Sequence, residues 1–346
     1  MLFAGKTKGY FFELTDSMML IARTNGDPEA TVVEEVRECA SDDEAAWAEI
    51  LQHFLPKKTS GAFIQAACAV YPERRILRRA TIEPKRVKES AYLPDFVATQ
   101  FRIEPDKYTL ALLNAATGTD YDQGKAAEKD VIIAGLPSED IIALQDQLLD
   151  QKVYPLRLEL GSLALLGGLS DYLRVTEAKM PLLVLELGRD VTHSFIVSGD
   201  GVEASRPIQQ GLESMVPVVQ KELGLKDEES ARKLFFSNAF DFTGLGPVLI
   251  RRLLKELQSS IGFHEVQTGQ SIGHVLCVHL PPKLEWLEGV IAGQLGVAPL
   301  RLDLAPWLQA RRITIADTVG ATPVPARWLG LFSLMAKYDA VPAQKV

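Results

Sequence analysis

Two tandem α/β lobes of similar plan, the first carrying a small inserted subdomain, are the fold class this 346-residue chain predicts. Three observations carry that expectation. A unit of strand, acid, strand and turn occurs twice, half a chain apart. Strands pair first through hairpins and then alternate with helical patterns. A proline-punctuated basic stretch interrupts the first half. The length suits two or three cores at about 100–200 residues per domain, and 47% apolar with 24% charged residues is ordinary globular composition.

The repeated unit is read as follows. In GYFFELTDSMMLIARTNGDPEATVVEE an apolar run reaches Glu13-Leu14, MMLIA follows, and Asn25-Gly26-Asp27 turns the chain into TVVEEV. In LLVLELGRDVTHSFIVSGDGVEASRPI the run reaches Glu186-Leu187, SFIV follows, and Gly199-Asp200-Gly201 makes the turn. Each acid precedes the turn glycine by 13 positions, and the two acids lie 173 positions apart. Glycine supplies the positive φ that tight hairpins need, so each copy predicts a hairpin leading to a third strand.

Prolines 72, 84, 94 and 105 mark the inserted segment. KDVIIAGLPSEDIIALQDQLLDQKVYPLRLEL then predicts strand, Ser138-capped helix and strand, with Glu139 and Asp140 in the helix's first turn. The Gly-Gly of LALLGGLS falls late in an apolar helical pattern, for packing or a C-cap. After the second copy, Ile208, Leu212, Met215, Val219 and Leu223 recur at helical spacing up to Gly224, with Pro217 expected to kink or interrupt the helix. Asp227 is expected to cap DEESARKLFF, and Leu249, Leu253, Leu257 and Ile261 form one apolar stripe. HVLCVHL predicts a buried strand, and KLEWLEGVIAGQLG an amphipathic helix ending at Gly296. The expected division is a first lobe over 1–72 and 151–180, the inserted subdomain over 73–150, a second lobe over 181–329, and a closing helix and tail over 330–346, with disorder in DAVPAQKV.

Charge and cysteine content remove several classes of function. A net charge of −8 without a long basic run opposes tracking of nucleic-acid phosphates. Cys39, Cys68 and Cys277 are odd in number and widely spaced, as reduced thiols of a reducing compartment would be. The start MLFAGKTKGYFFELTD lacks the pattern of a secretory signal, and LGSLALLGGLS is shorter than the about 20 residues that cross a bilayer. A cytoplasmic protein is expected. No metal site is expected, since His274 and His279 point oppositely along their strand and His193 reads as a partly exposed strand histidine. Neither a Ser-His-Asp order nor a Gly-x-Ser-x-Gly elbow occurs.

The order of these segments resembles the actin-like ATPase superfamily, and within it the PilM family of type IV pilus assembly proteins, with FtsA as a relative. ILRRATIEPKRVKESAYLPDFVATQFRIEPDKYTL looks like that family's basic strand, proline, helix and second strand. VIIAGLPSEDIIALQDQLLDQKVYPLRLELGSLALL is similar to its next strand-helix-strand, and ARWLGLFSLMAKYD to its closing helix. The resemblance covers nearly the whole chain as order and spacing. It implies two actin-like (RNase H-like) lobes, a cleft for ATP and magnesium, and a groove at the inserted subdomain for the short N-terminal cytoplasmic tail of a bitopic inner-membrane PilN-like partner.

An actin-like cleft needs an Asp-x-Gly turn in each lobe, the carboxylate to orient magnesium-bound water and the glycine to let backbone N–H groups approach phosphate. Here the first turn is Glu13-Leu14-Thr15-Asp16-Ser17, and Leu20 stands where a basic residue is expected seven places after the acid. The second, Glu186-Leu187-Gly188-Arg189, keeps its glycine but again carries glutamate. The extra methylene moves the carboxylate by about one C–C bond, about 1.5 Å, where a misplacement of about 1 Å costs about 10²-fold in rate. The Gly-Gly pair that supports adenosine is replaced by Leu280-Pro281-Pro282-Lys283. Glu13, Thr15, Asp16, Ser17, Glu186, Gly188 and Arg189 therefore form an expected, eroded nucleotide site with no catalytic residue assigned.

Of the basic cluster Arg74, Arg75, Arg78, Arg79, Lys85, Arg86 and Lys88, the residues Arg78, Arg79, Lys85 and Arg86 are the expected partner contacts, against the plainer reading of a charged strand edge. The leading expectation is a scaffold of a type IV pilus or related secretion platform, held at the inner membrane through partners that include other platform proteins. The alternative is an active Mg-ATP-binding ATPase or kinase using Glu13 and Glu186. A third reading, the cytoplasmic part of a GspL-like secretion protein, expects a membrane helix after the actin-like part.

Overall fold

A computed structural model describes residues 8–27, 29–55, 62–122, 128–237, 239–321 and 323–337. The sequence expectation for DAVPAQKV lies outside the described residues. The chain forms two compact units, Met1–Thr176 with Asp303–Val346, and Glu177–Leu302.

The first unit opens with strands β1 (Gly9–Leu14), β2 (Met18–Thr24) and β3 (Thr31–Ala40), followed by helix α1 (Glu44–Phe54), whose N-terminus Asp43 caps through the Ala46 N–H at 3.0 Å. Then come β4 (Ile64–Val70), β5 (Ile76–Thr81), α2 (Tyr92–Phe101), β6 (Tyr108–Asn114), β7 (Asp130–Pro137), α3 (Ser138–Asp150), β8 (Val153–Leu160) and α4 (Gly161–Val175). The second unit holds β9 (Leu182–Leu187), β10 (Thr192–Ser198), β11 (Gly201–Ile208), α5 (Val216–Leu223), α6 (Glu228–Ser237), α7 (Gly246–Leu249), α8 (Arg251–Thr268), β12 (His274–Val278), α9 (Trp286–Leu295) and β13 (Ala298–Pro299). The chain then re-enters the first unit with α10 (Ala305–Ala310), β14 (Ile313–Ile315) and α11 (Leu329–Met335).

The two copies of the repeat build the same sheet. The first unit orders its strands β14-β3-β2-β1-β4-β8, the second β11-β10-β9-β12-β13. In both, three strands pair antiparallel and the acid-bearing first strand pairs parallel with a later one, β1 with β4 and β9 with β12. Gly26, at φ 70°, and Gly201, at φ 120°, take the left-handed backbone the turns need. Between β4 and α3 the chain forms a separate antiparallel sheet, β5-β7-β6, which covers Ile82, Val87, Tyr92 and Val97, whereas the last part of the expected 73–150 insertion, α3, packs on the first large sheet through Leu148.

One face of the first large sheet packs Phe12, Ile21, Ile64 and Cys68 against Trp47, Leu51 and Phe54 of α1 and Leu148 of α3. The other face receives α4 and α11, which approach so closely at Gly168 that a side chain there would collide with Ser333. The Gly-Gly pair lies inside α4, where Gly168 packs and Gly167 is exposed, so the packing reading holds for Gly168 and the C-cap reading does not. The second unit's core joins Leu183, Leu185 and Leu187 of β9 to Val219, Phe235, Leu253, Leu257 and Ile291.

Three local expectations need correction. Ser138 is the first residue of α3 and makes no cap; Pro137 precedes the helix, and the Ser138 hydroxyl lies 3.0 Å from that of Thr109. The spacing from Ile208 to Leu223 is not one helix, because Ile208 ends β11 and Gly211 is extended. Pro217 instead occupies the first turn of α5, where its missing N–H costs nothing. The HVLCVHL strand is buried only at Val275 and Leu276, and His279 lies beyond it at φ 60°. Asp227 does cap α6, accepting from the Ser230 N–H at 2.8 Å, and Gly296 ends α9 at φ 71°.

An internal clasp holds the returning segment. Asp171 of α4, 1% exposed, accepts from Trp307 Nε1 at 2.9 Å and from Arg311 at 3.1 Å, with Arg311 Nε 2.7 Å from its second oxygen. The Asp303 N–H donates to the Tyr172 hydroxyl at 3.3 Å, and β14 adds to the sheet beside β3. The chain returns to the first unit at Asp303 rather than at the expected boundary of 329, tied there by the Asp171 clasp and by β14.

Candidate functional site

Each hairpin places its acid at the same point. Glu13 faces Leu20 across β1 and β2, and Glu186 faces His193 across β9 and β10, so the residue seven places after each acid is its cross-strand partner. A two-strand hairpin with a short turn dictates that spacing, and the side chains of such a pair lie on one face.

Glu13 is fully buried. The Tyr71 hydroxyl, at the end of the parallel neighbour β4, donates to Glu13 Oε1 at 2.7 Å. The Tyr71 ring is held by Gly161 at the start of α4, where any side chain would strike the ring, and by the Arg75 guanidinium 5.9 Å from the ring centre. Arg75 in turn donates to the buried Ser162 hydroxyl at 3.0 Å. On its other side Glu13 meets Gly330 of α11, where a Cβ would fall on the carboxylate. The first acid is thus packed between β4 and the closing helix.

The turn that follows is closed by Thr15 and Met18. The Thr15 N–H and hydroxyl both donate to the Met18 carbonyl, each at 2.9 Å, and the Met18 N–H donates back to Thr15 Oγ1 at 2.9 Å. The Ser17 carbonyl accepts from the Ser41 N–H at 3.1 Å, and the Ser41 hydroxyl donates to the Asp16 carbonyl. Asp16 is exposed over its surface, yet the protein crowding its carboxyl raises its pKa, with Arg75 pulling the other way.

In the second unit the loop is tied to the segment between β11 and α5. The Gly188 N–H donates to the Val191 carbonyl at 3.0 Å, and the carbonyls of Gly188 and Arg189 accept from Leu212 and Glu213 at 3.0 and 2.9 Å. Gly211 lies against the Arg189 carbonyl with no room for a side chain. Arg189 Nε sits 3.6 Å from Glu213, whose carboxylate also receives Arg232 at 2.7 Å. Glu186 is buried, and His193, expected partly exposed, is buried beside it and stacks on Phe195. At the third loop Pro282 begins a single helical turn, and the N–H of Cys277 is taken by Glu288 at 2.9 Å.

Carboxylates that sequence order did not reveal offset the basic cluster. Arg74 pairs with Asp140 and Glu139, Arg79 with Asp130 at 3.0 Å, and Arg86 with Glu83 and Glu89 while lying 4.8 Å from the Tyr92 ring centre. Arg78 stacks on Phe101 at 5.7 Å. Lys85 and Lys88 are exposed. Sequence reasoning missed Tyr71, Gly330 and Asp171. Only Asp171 had a signal, an aspartate inside the apolar run SLALLGGLSDYL. Among the described residues no group of three or more His, Cys, Asp or Glu side chains could hold a metal ion, and no helix is long and apolar enough to cross a membrane.

The paired sheets, each led by an acid-bearing hairpin, with a subdomain inserted in the first, define the actin-like ATPase fold. Among solved structures the chain is similar to that of the PilM–PilN type IV pilus biogenesis complex, with a TM-score of 0.64 and 18% identity over 95% of this chain and 98% of that one. It also matches the cytoplasmic domain of EpsL, an inner-membrane component of the Vibrio cholerae type II secretion system, at a TM-score of 0.43 and 10% identity over 96% and 97% of the two chains. A Bacteroides thetaiotaomicron protein of actin-like ATPase fold and unknown function matches at 0.45 and 9% over 96% of each chain. No family model matches the sequence, and no curated protein does.

Proposed function

We propose that the chain is a PilM-like scaffold of a type IV pilus or related secretion platform, working by binding the N-terminal cytoplasmic tail of a bitopic inner-membrane partner. One observation carries the reading: a whole-length fold match to PilM coincides with phosphate loops in which the Thr15 and Gly188 N–H groups are bonded within the protein. Phosphate approaching the first unit's loop would have to displace the Thr15 N–H bond, and phosphate approaching the second unit's loop the Gly188 N–H bond and the Arg189 pair with Glu213. Each displaced hydrogen bond contributes about 0.5–1.5 kcal/mol, and the exposed Arg189 pair about 0–1 kcal/mol. Glu13 would further have to leave Tyr71 before serving magnesium.

The tail docks at the inserted subdomain, where Arg78 and Arg79 line β5 and Lys85 and Arg86 follow it. Lys85 adds a surface cation there for an acidic or C=O-rich tail. Titration calorimetry with the cytoplasmic tails of bitopic proteins encoded nearby is expected to give saturable binding, weakened by Lys85→Glu. Absence of binding to every tail refutes the reading, and sub-millimolar Mg·ATP binding abolished by Glu186→Ala would favour the ATPase alternative instead.

A further inference from the structure

We propose that the outward face of α8 is a contact surface for an anionic lipid bilayer. The helix turns Leu253, Leu257, Ile261 and His264 inward to the second unit's core. At 3.6 residues per turn, Arg252, Lys255, Ser259, Phe263 and Val266 share the opposite face. Phe263 is 65% and Val266 88% exposed, and no other large apolar side chain among the described residues is as exposed as Val266. They stand one turn apart, so their apolar surfaces join rather than scatter.

The same face is cationic at its other end. Arg251, Arg252 and Lys255 are exposed, and the first turn of α8 contains no acidic residue. Three cations near a helix N-terminus oppose the helix dipole, so their placement gains nothing for the helix itself. The flanking Glu256 is engaged by Arg206 at 2.6 Å, and Glu265 lies on another side of the helix. From Gln258 to Gln270 the exposed face is uncharged. A chain of net charge −8 thus presents one stripe, about 21 Å from Arg252 to Val266, that joins positive charge to exposed aromatic and aliphatic groups. Anionic headgroups complement the first part, and the headgroup–acyl boundary accommodates Phe263 and Val266. A second copy laid on this face would bring like charges together or leave the cations without anions. The inference stands on α8's own surface and does not depend on the tail-binding reading.

The test is co-sedimentation of the whole protein, without any peptide, with vesicles of phosphatidylglycerol and phosphatidylethanolamine and with phosphatidylcholine vesicles as the neutral control. Binding to the anionic vesicles alone is expected, reduced by salt as screening shortens its range. Arg252→Gln with Lys255→Gln is expected to weaken partitioning about 25-fold, at about fivefold per charge. Phe263→Ser with Val266→Ser is expected to weaken it about tenfold or more. All four positions are exposed, so unchanged circular dichroism will show that the fold is intact. Equal binding to both vesicle types, or no effect of either pair, overturns the proposal. Concentration-dependent dimerisation abolished by Phe263→Ser, without vesicle binding, overturns it in favour of a second copy.

Discussion

Gly330→Ala is the sharpest probe of what Glu13 does. The added methyl falls on Glu13 Oε1, and α11 has little freedom to retreat, because Leu329, Leu331 and Phe332 beside Gly330 are all at most 1% exposed. The carboxylate must then swing away and lose the 2.7 Å bond from Tyr71. Overpacking costs about 1–3 kcal/mol, and loss of the buried Tyr71–Glu13 hydrogen bond adds about 0.5–1.5 kcal/mol. Glu13→Asp alone forfeits the Tyr71 bond, but it withdraws the carboxylate by about one C–C bond, about 1.5 Å, and opens the space the methyl needs. The double variant should therefore be more stable than the sum of the single effects, by about 1–3 kcal/mol of coupling. Urea unfolding followed by fluorescence in a Trp286→Phe background isolates Trp47, Trp307 and Trp328, all in the first unit. A Gly330→Ala protein as stable as its parent, or a double variant additive within about 0.5 kcal/mol, would refute the packing role.

Asp171→Ala should remove the bonds that tie Trp307 and Arg311 to α4 and cost about 3–5 kcal/mol, read as a fall in the same unfolding midpoint; a loss under about 1 kcal/mol would contradict the clasp. Burial opposes ionisation of Glu38, but the bonds from Arg327 and Trp328 outweigh it and hold its carboxyl below the ordinary 4.5. A depressed acid stabilises above its unfolded pKa and loses that contribution as pH falls through the folded value. Glu38→Gln should thus destabilise at neutral pH, and its deficit should close below pH 4.5 in urea melts taken across pH. Burial pushes the Cys68 thiol up to about 12, so at about pH 8, near an ordinary thiol's 8.5, an alkylating reagent should leave it untouched until denaturant is added.

The repeat was legible because it is local. Alternating apolar residues, two glycine turns and a fixed 13-residue interval fix strand, acid and turn without reference to the rest of the chain. Features that depend on distant partners were not. β14 has three residues and pairs with β3, whose first residue lies hundreds of positions earlier, so no periodicity announces it. Gly330 and Tyr71 carry no mark of the carboxylate they enclose, and the arginines of the basic cluster give no hint of Asp130 or Asp140 across the fold. The false helix from Ile208 arose because 3.6-residue spacing continued by chance across Gly211. What stops it is tertiary, the close approach of Gly211 to the Arg189 carbonyl.

The place of Asp171 in the chain has a consequence for biosynthesis. Its partners Trp307 and Arg311, and the helix that closes over Glu13, are translated only after the whole of Glu177–Leu302. On the ribosome the second unit has every residue of its own sheet first, while the first unit waits with a buried-type aspartate, the open edge of β3 and a sheet face covered by α4 without α11. A stalled or prematurely terminated chain would thus carry a completed second unit beside a sticky, unfinished first one. Quality-control proteases would have a ready means of telling finished molecules from unfinished ones.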